Sequence, residues 1–483
     1  MIKAKMKKTK LEITNKPSPV MALSKTAAVA KHKVRPNQIW MILIIIVSVA
    51  VIVGGAIFLF RQRAEEKNIT ESTDNKYVEF ISEVYKKVQQ NYWDIMDDEK
   101  LFNLYNEGIK KVKEQMPEIQ IPEATETLAK NSEGLKQITA QIMDQLDQEG
   151  KKSFAVKLTV GVLTNLEPFG RSGLYTTANQ QDLTNRVYNI DPATDLYSAI
   201  GLNNQATQAE IAQAIDQQSA ELKNVSQDET QSDQERKAAQ DQLALVERAQ
   251  KTLTDPQKRE NYNTNKIEST ILTNQIGPDI FYVKIDKFSP QTLAEFQQTI
   301  GQIDQEASGN SDSLILDLRG NVGGAFDILP EFLGLFMGKD QLGYDWYQQG
   351  QVTSFKTTAD RLAGLDKFSQ VIILIDNGTQ SSAEVMAMAL KKSNFGILVG
   401  STTKGWGTIE RIFELDNQID PQRNYSLFLV HHLSLGETQQ PIEGRGVAPQ
   451  VDLTAENWPE QLQADYDASD SLINAVEEIW FGA

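Results

Sequence analysis

The chain has 483 residues, room for two or three domains each with its own core, and a make-up of 40% hydrophobic and 23% charged residues excludes wholesale disorder. Its net charge of −17 is unevenly placed: residues 1–63 carry +11 and the remainder −28, so the body repels phosphate backbones and nucleic acid is excluded as its partner. Cysteine is absent and histidine is confined to His32, His431 and His432. That excludes disulfides, thiolate metal sites and a cysteine nucleophile, and leaves little for a Ser-His-Asp triad or a histidine metal cluster. No cofactor or metal is expected, and hydrolytic chemistry here needs a base other than histidine.

Residues 1–38 read as a basic cytoplasmic tail and 39–62 as a transmembrane anchor. "MILIIIVSVAVIVGGAIFLF", Met41 to Phe60, is twenty residues without a charge, enough helix to cross about 30 Å of hydrocarbon. Trp40 stands at one end and Arg61 and Arg63 at the other, where interfacial residues hold a span. Ten Lys/Arg precede it, which keeps the N-terminus in the cytoplasm and puts the acidic body outside. The bulky "IFLF" is unlike a signal-peptide cleavage site.

Residues 77–190 form a helical N-terminal region. "YVEFISEVYKKVQQNYW" and "EKLFNLYNEGIKKVKEQM" repeat apolar residues at three and four, as amphipathic helices do. "FAVKLTVGVL" reads as a short strand before the turn "NLEPFGRSGLY". Residues 191–265 are a distinct helical block, in which Thr207 and Glu210 form a capping-box signature and Pro256 after Asp255 starts a fresh helix. Across 266–455, short apolar runs such as "IFYVKI", "SLILDL", "VIILI" and "GILVG" alternate with helical segments, which predicts an α/β core whose sheet is buried on both faces. Residues 456–483 complete the chain as a helical tail.

Two stretches in that core can carry chemistry. "LILDLRGNVGG", Leu314 to Gly324, is a buried strand entering a glycine-rich turn, where backbone N–H groups can converge on an oxyanion; alone it reads as well as an ordinary strand-to-helix turn. "VIILID" runs into "NGTQSSAEVMAMAL", placing Ser381 and Ser382 at a helix start. There amide donors and the helix dipole stabilise negative charge, or the serines act only as caps.

In order, "VKIDKFS", "LDLRGNVGG", "NGTQSSAEV", "GILVGSTTKGWGTIE" and "GETQQPIEGRGVAPQVD" resemble the C-terminal processing peptidases, or tail-specific proteases, which are membrane-linked or exported serine endopeptidases with a Ser/Lys dyad. The resemblance runs from Ile276 to Asp452, and the first helix and the "NLEPFGRSGLY" turn resemble the family's N-terminal helical part. It implies a crotonase-like α/β peptidase core and a polypeptide substrate or ligand. The family's peptide-gripping PDZ domain is replaced by block 191–265, which resembles a J-domain in "DLYSAIGL" and in the segment Leu253 to Tyr262. The His-Pro-Asp loop of J-domains should fall near Lys223, Asn224 and Val225 and is missing, so the block is expected to be a structural or peptide-presenting spacer.

The resemblance assigns the nucleophile to Ser381, three residues before Glu384, and the oxyanion hole to the amides of Ser382 and of Gly323 or Gly324. The family's general-base lysine and the glutamine that steadies it fall on Trp406 and Glu410, a register pinned by Gly400, Thr403, Gly405 and Gly407. If this segment is extended, Lys404 shares a face with position 406 about 7 Å away, which makes Lys404 the substitute base. Glu410 opposes that role, because a carboxylate favours the charged ammonium. The expected protein is bacterial, membrane-anchored, exported and peptide-binding, a pseudopeptidase. The alternatives are an active serine endopeptidase using Ser381 and Lys404, and a non-catalytic scaffold acting through the J-like block. Homo-oligomerisation stays open.

Overall fold

The computed structural model describes residues 76–122, 128–228, 230–306 and 312–482. The basic tail and the apolar run 41–60 lie outside the described residues. Among the described residues no helix is long and apolar enough to cross a membrane.

Among the described residues four helices come first: α1 (Lys76–Asn91), α2 (Asp98–Gln115), α3 (Ser132–Met143) and α4 (Gln148–Thr164). On α1 the residues at helical spacing, Phe80, Ile81, Val84, Tyr85 and Val88, are buried. "FAVKLTVGVL", expected as a strand, forms the body of α4 instead. Phe154, Leu158 and Val162 recur every fourth residue and are buried together against α1 and α2. Burial along that stripe outweighs the strand preference of the interspersed valines.

After β1 (Gly173–Thr176) and α5 (Thr177–Val187) come α6 (Leu196–Ala199), α7 (Gln208–Gln227), α8 (Asp233–Leu253) and α9 (Pro256–Asn265). The last four surround a separate small core of Leu196, Tyr197, Ile211, Ile215, Val246, Leu253 and Tyr262. Thr207 and Glu210 make the capping box of α7, and Asp255 caps α9 with Pro256 as its first residue. The Tyr262 hydroxyl accepts the Leu196 N–H at 3.0 Å, joining the end of the block to its beginning. Lys223, Asn224 and Val225 lie within α7.

The remaining elements are β2 (Ile271–Ile276), β3 (Ile280–Ile285), α10 (Thr292–Glu306), β4 (Ser313–Asp317), α11 (Leu329–Met337), β5 (Leu342–Gln348), β6 (Gln351–Lys356), β7 (Gln370–Ile375), α12 (Ser382–Lys392), β8 (Ile397–Gly400), β9 (Thr408–Glu414), β10 (Tyr425–Leu435), β11 (Val451–Asp452), α13 (Trp458–Tyr466) and α14 (Asp470–Phe481). Six strands form a sheet in the order β11-β8-β7-β4-β3-β2, parallel except for the β2–β3 pair. Alternate residues of its central strands face opposite ways. Leu314, Leu316, Ile373 and Ile375 enter the core built with α11 and α12, while Ile315, Ile372 and Leu374 pack with Trp458, Leu462, Leu472 and Val476 of α13 and α14. The sheet is thus covered on both faces, as near-continuous apolar strands require. A second, antiparallel sheet runs β1-β10-β5-β6 with β9 also on β10, and Leu427, Leu429 and Val430 of β10 share the core of α1 to α4.

Candidate active site

Loops leaving the carboxyl ends of the adjacent parallel strands β4, β7 and β8 open on one side of the sheet, the usual place for a site in such a fold. They are laced together. The Thr379 hydroxyl donates to the Leu318 carbonyl at 2.8 Å, Gly320 N–H to Asp376 Oδ1 at 2.8 Å, Gln380 N–H to the Asn321 carbonyl at 2.8 Å, and Lys404 N–H to the Thr379 carbonyl at 3.0 Å.

Ser381 caps α12 with φ +55° and ψ −124°, a conformation that costs a non-glycine residue energy and is held by its surroundings. Gly323, at φ +83°, lies against it: a Cβ there would stand 2.7 Å from Ser381 Cβ and 3.0 Å from Ser382 N. A Cβ on Gly324 would stand 1.9 Å from the Phe288 carbonyl oxygen, so both glycines are needed for close approach. Of the expected oxyanion-hole amides, Gly323 N–H is engaged by Asn321 Oδ1 at 2.8 Å. Ser382 N–H belongs to the first helical residue, which has no partner within its own helix.

Glu384 ties the Ser381 turn to the segment after β8. Its buried carboxylate accepts from Ser381 N–H at 2.9 Å, the Thr403 hydroxyl at 2.5 Å, Gly405 N–H at 2.7 Å and Trp406 N–H at 2.8 Å. Burial raises its pKa, and these hydrogen bonds oppose the rise.

Residues 401–407 are not a strand, because Gly405 turns the chain at φ +76°. Positions 404 and 406 therefore do not alternate as in an extended segment. Lys404 has an exposed side chain, whereas Trp406 and Glu410 line a cleft of about 450 Å³ together with Ser381, Gly323 and Gly324. The Arg171 guanidinium carbon sits 3.3 Å from the centre of the Trp406 ring. Arg171 is held by Glu443 at 3.1 Å, and the other oxygen of Glu443 accepts Gly407 N–H at 2.7 Å. Glu410 accepts the Thr408 hydroxyl at 2.6 Å, and burial raises its pKa against the pull of Thr408, Trp406 and Arg171.

The three cationic residues of the cleft were not singled out from the sequence: Arg171, Arg186 and Lys287. Arg171 and Lys287 lie inside the quoted segments "NLEPFGRSGLY" and "VKIDKFS", but only the folded chain brings them beside Ser381.

Residues 279–453 match peptidase family S41. The carboxyl-terminal-processing protease of Synechocystis sp. is 30% identical over 141 residues, covering 29% of this chain and 31% of that protein. The carboxy-terminal processing protease CtpA of Bacillus subtilis is 29% identical over 196 residues, covering 40% of this chain and 38% of that protein. The chain thus spans about a third of the length of these relatives. Among solved structures, the photosystem II D1 C-terminal processing protease aligns with a TM-score of 0.32 at 21% identity, covering 38% of this chain and 48% of that one.

Proposed function

We propose that this protein grips polypeptide segments in a cleft of the C-terminal processing peptidase type and does not cleave them. The observation that carries the reading is Trp406, stacked beneath Arg171 beside Ser381 at the position where the resemblance expects the general base. A serine hydroxyl attacks a peptide carbonyl only when a neighbouring base takes its proton. Indole cannot do so. Burial is what lets a lysine act as a base near neutral pH, and the exposed Lys404 lacks it. With the Gly323 N–H engaged by Asn321, the Gly324 amide and the start of α12 are left to hold a peptide carbonyl. In this reading residues 41–60 anchor the protein with its body outside the cytoplasm, and block 191–265 is a spacer; the Bacillus subtilis relative supports a bacterial origin. The test is peptide binding by the full chain, followed by fluorescence anisotropy, with the mass of the peptide checked after incubation. The proposal expects binding that survives Ser381→Ala and a peptide that stays intact.

One observation favours a second reading, a serine endopeptidase: the positive φ of Ser381 resembles the strained backbone of an exposed nucleophile at a strand-to-helix turn. That reading expects peptide cleavage abolished by Ser381→Ala and by Lys404→Met.

A further inference from the structure

We infer that Arg186 and Lys287 form a carboxylate-binding subsite at the end of the Ser381 cleft, one that takes a peptide's terminal carboxylate or an acidic side chain. This inference rests on the peptide-binding reading. The 450 Å³ cleft meets a second cavity of about 440 Å³, and Arg186 and Lys287 line both. Other cations nearby are already neutralised: Arg248 by Asp191 at 2.8 Å and Glu268 at 2.6 Å, Lys251 by Asp286, and Arg171 by Glu443 at 3.1 Å.

Arg186 and Lys287 differ, because among the described residues neither forms an ion pair with a carboxylate. Their partners are neutral: Lys287 Nζ reaches Asn189 Oδ1 at 3.3 Å, and Arg186 donates from Nε to the Asp182 carbonyl at 3.4 Å and also hydrogen-bonds the Tyr175 side chain. Lys287 is pressed toward its neutral form first by burial and then by Lys251, with Glu268 opposing and Arg248 and Arg186 adding to the effect. An arriving carboxylate supplies the missing counter-charge to both side chains, through charge-assisted hydrogen bonds. The placement suits a peptide. Lys287 Cγ lies 3.5 Å from where a Cβ on Gly324 would stand, and Gly323 in turn abuts Ser381. A chain with its carboxylate on this pair runs its preceding peptide groups past the glycine turn.

The test uses the full chain and three fluorescein-labelled decapeptides of alanine and valine: one with a free C-terminus, one amidated, and one amidated with a penultimate glutamate. Binding is followed by fluorescence anisotropy. The free peptide should bind about tenfold or more tighter than the plain amidated one, the scale of one charge-assisted contact. The double variant Arg186→Gln, Lys287→Gln should lose that preference, and Lys287→Arg should retain it. If the glutamate peptide matches the free one, a side chain serves the subsite as well as a terminus; if it matches the amidated one, the subsite takes chain ends. Equal binding of all three, or a preference that persists in the double variant, overturns the subsite and leaves peptide binding standing. Failure of every peptide to bind overturns both.

Discussion

Trp406 owes its place in the cleft to Arg171, whose guanidinium lies 3.3 Å from its ring centre and is anchored by Glu443. A half-buried stack of this kind contributes about 1–2 kcal/mol. A double-mutant cycle of Arg171→Ala and Trp406→Ala, read by urea unfolding, should show that coupling; purely additive losses would mean that the stack holds nothing. At this scale the sequence was legible where chemistry is local. Ser381 at a helix start and glycines at 323 and 324 follow from turn and cap preferences, and the structure puts Gly323 against Ser381. The relation of Lys404 to Trp406 was not legible, because it hangs on the single positive φ of Gly405. Nor was Arg171 over Trp406, a pair separated by more than two hundred residues of chain.

The element that organises the site is the first turn of α12. Glu384 gathers four donors from two stretches of chain, Ser381 and residues 403–406, so removing it strands buried N–H and O–H groups. Glu384→Ala should destabilise the protein by at least about 3 kcal/mol in denaturant unfolding, given about 1–3 kcal/mol for each buried unsatisfied group. A loss below 1 kcal/mol would show that water replaces the carboxylate. Strand β10 offers a pH test. His431 and His432 are lowered to about 4, first by burial and then by the charges of Arg411 and, for His432, of His431. With unfolded values near 6.5, the folded state binds fewer protons between pH 6.5 and 4. Their contribution is complete above 6.5 and is lost as the pH falls through 4. Replacing both by glutamine should flatten the fall in Tm between pH 7 and 4; an unchanged acid limb would contradict the assignment. Helix α4 shows where periodicity failed. Its valines favour a strand, and only packing against α1 and α2 settles the matter, which a single sequence does not display.

Across the whole molecule the helical N-terminus and the peptidase-like core are one cooperative structure, since α1 to α4 share their core with β10. A chain beginning at residue 170 should therefore fail to unfold cooperatively, whereas one beginning at 76 should do so. Block 195–264 differs. It carries its own small core, and its flanks meet at the Ile190–Ile267 bridge, so a short glycine-serine linker can close the gap. That replacement should leave one cooperative transition at a lower Tm, because Glu268 and Asp286 lose Arg248 and Lys251. The α/β core, buried on both faces, was readable from its alternating apolar runs and ordered motifs. What no run of residues announced was the meeting of Arg171, Arg186 and Lys287 around Ser381.

The account turns on the lack of a base beside Ser381, and reaction with a fluorophosphonate tests it most directly, with the adduct located by mass spectrometry. The wild-type chain should carry no adduct at Ser381, and the double variant Trp406→Lys, Glu410→Gln should gain one, since the neighbouring Arg171 favours an uncharged amine at position 406. A Ser381 adduct on the wild-type chain, abolished by Ser381→Ala, would contradict the account.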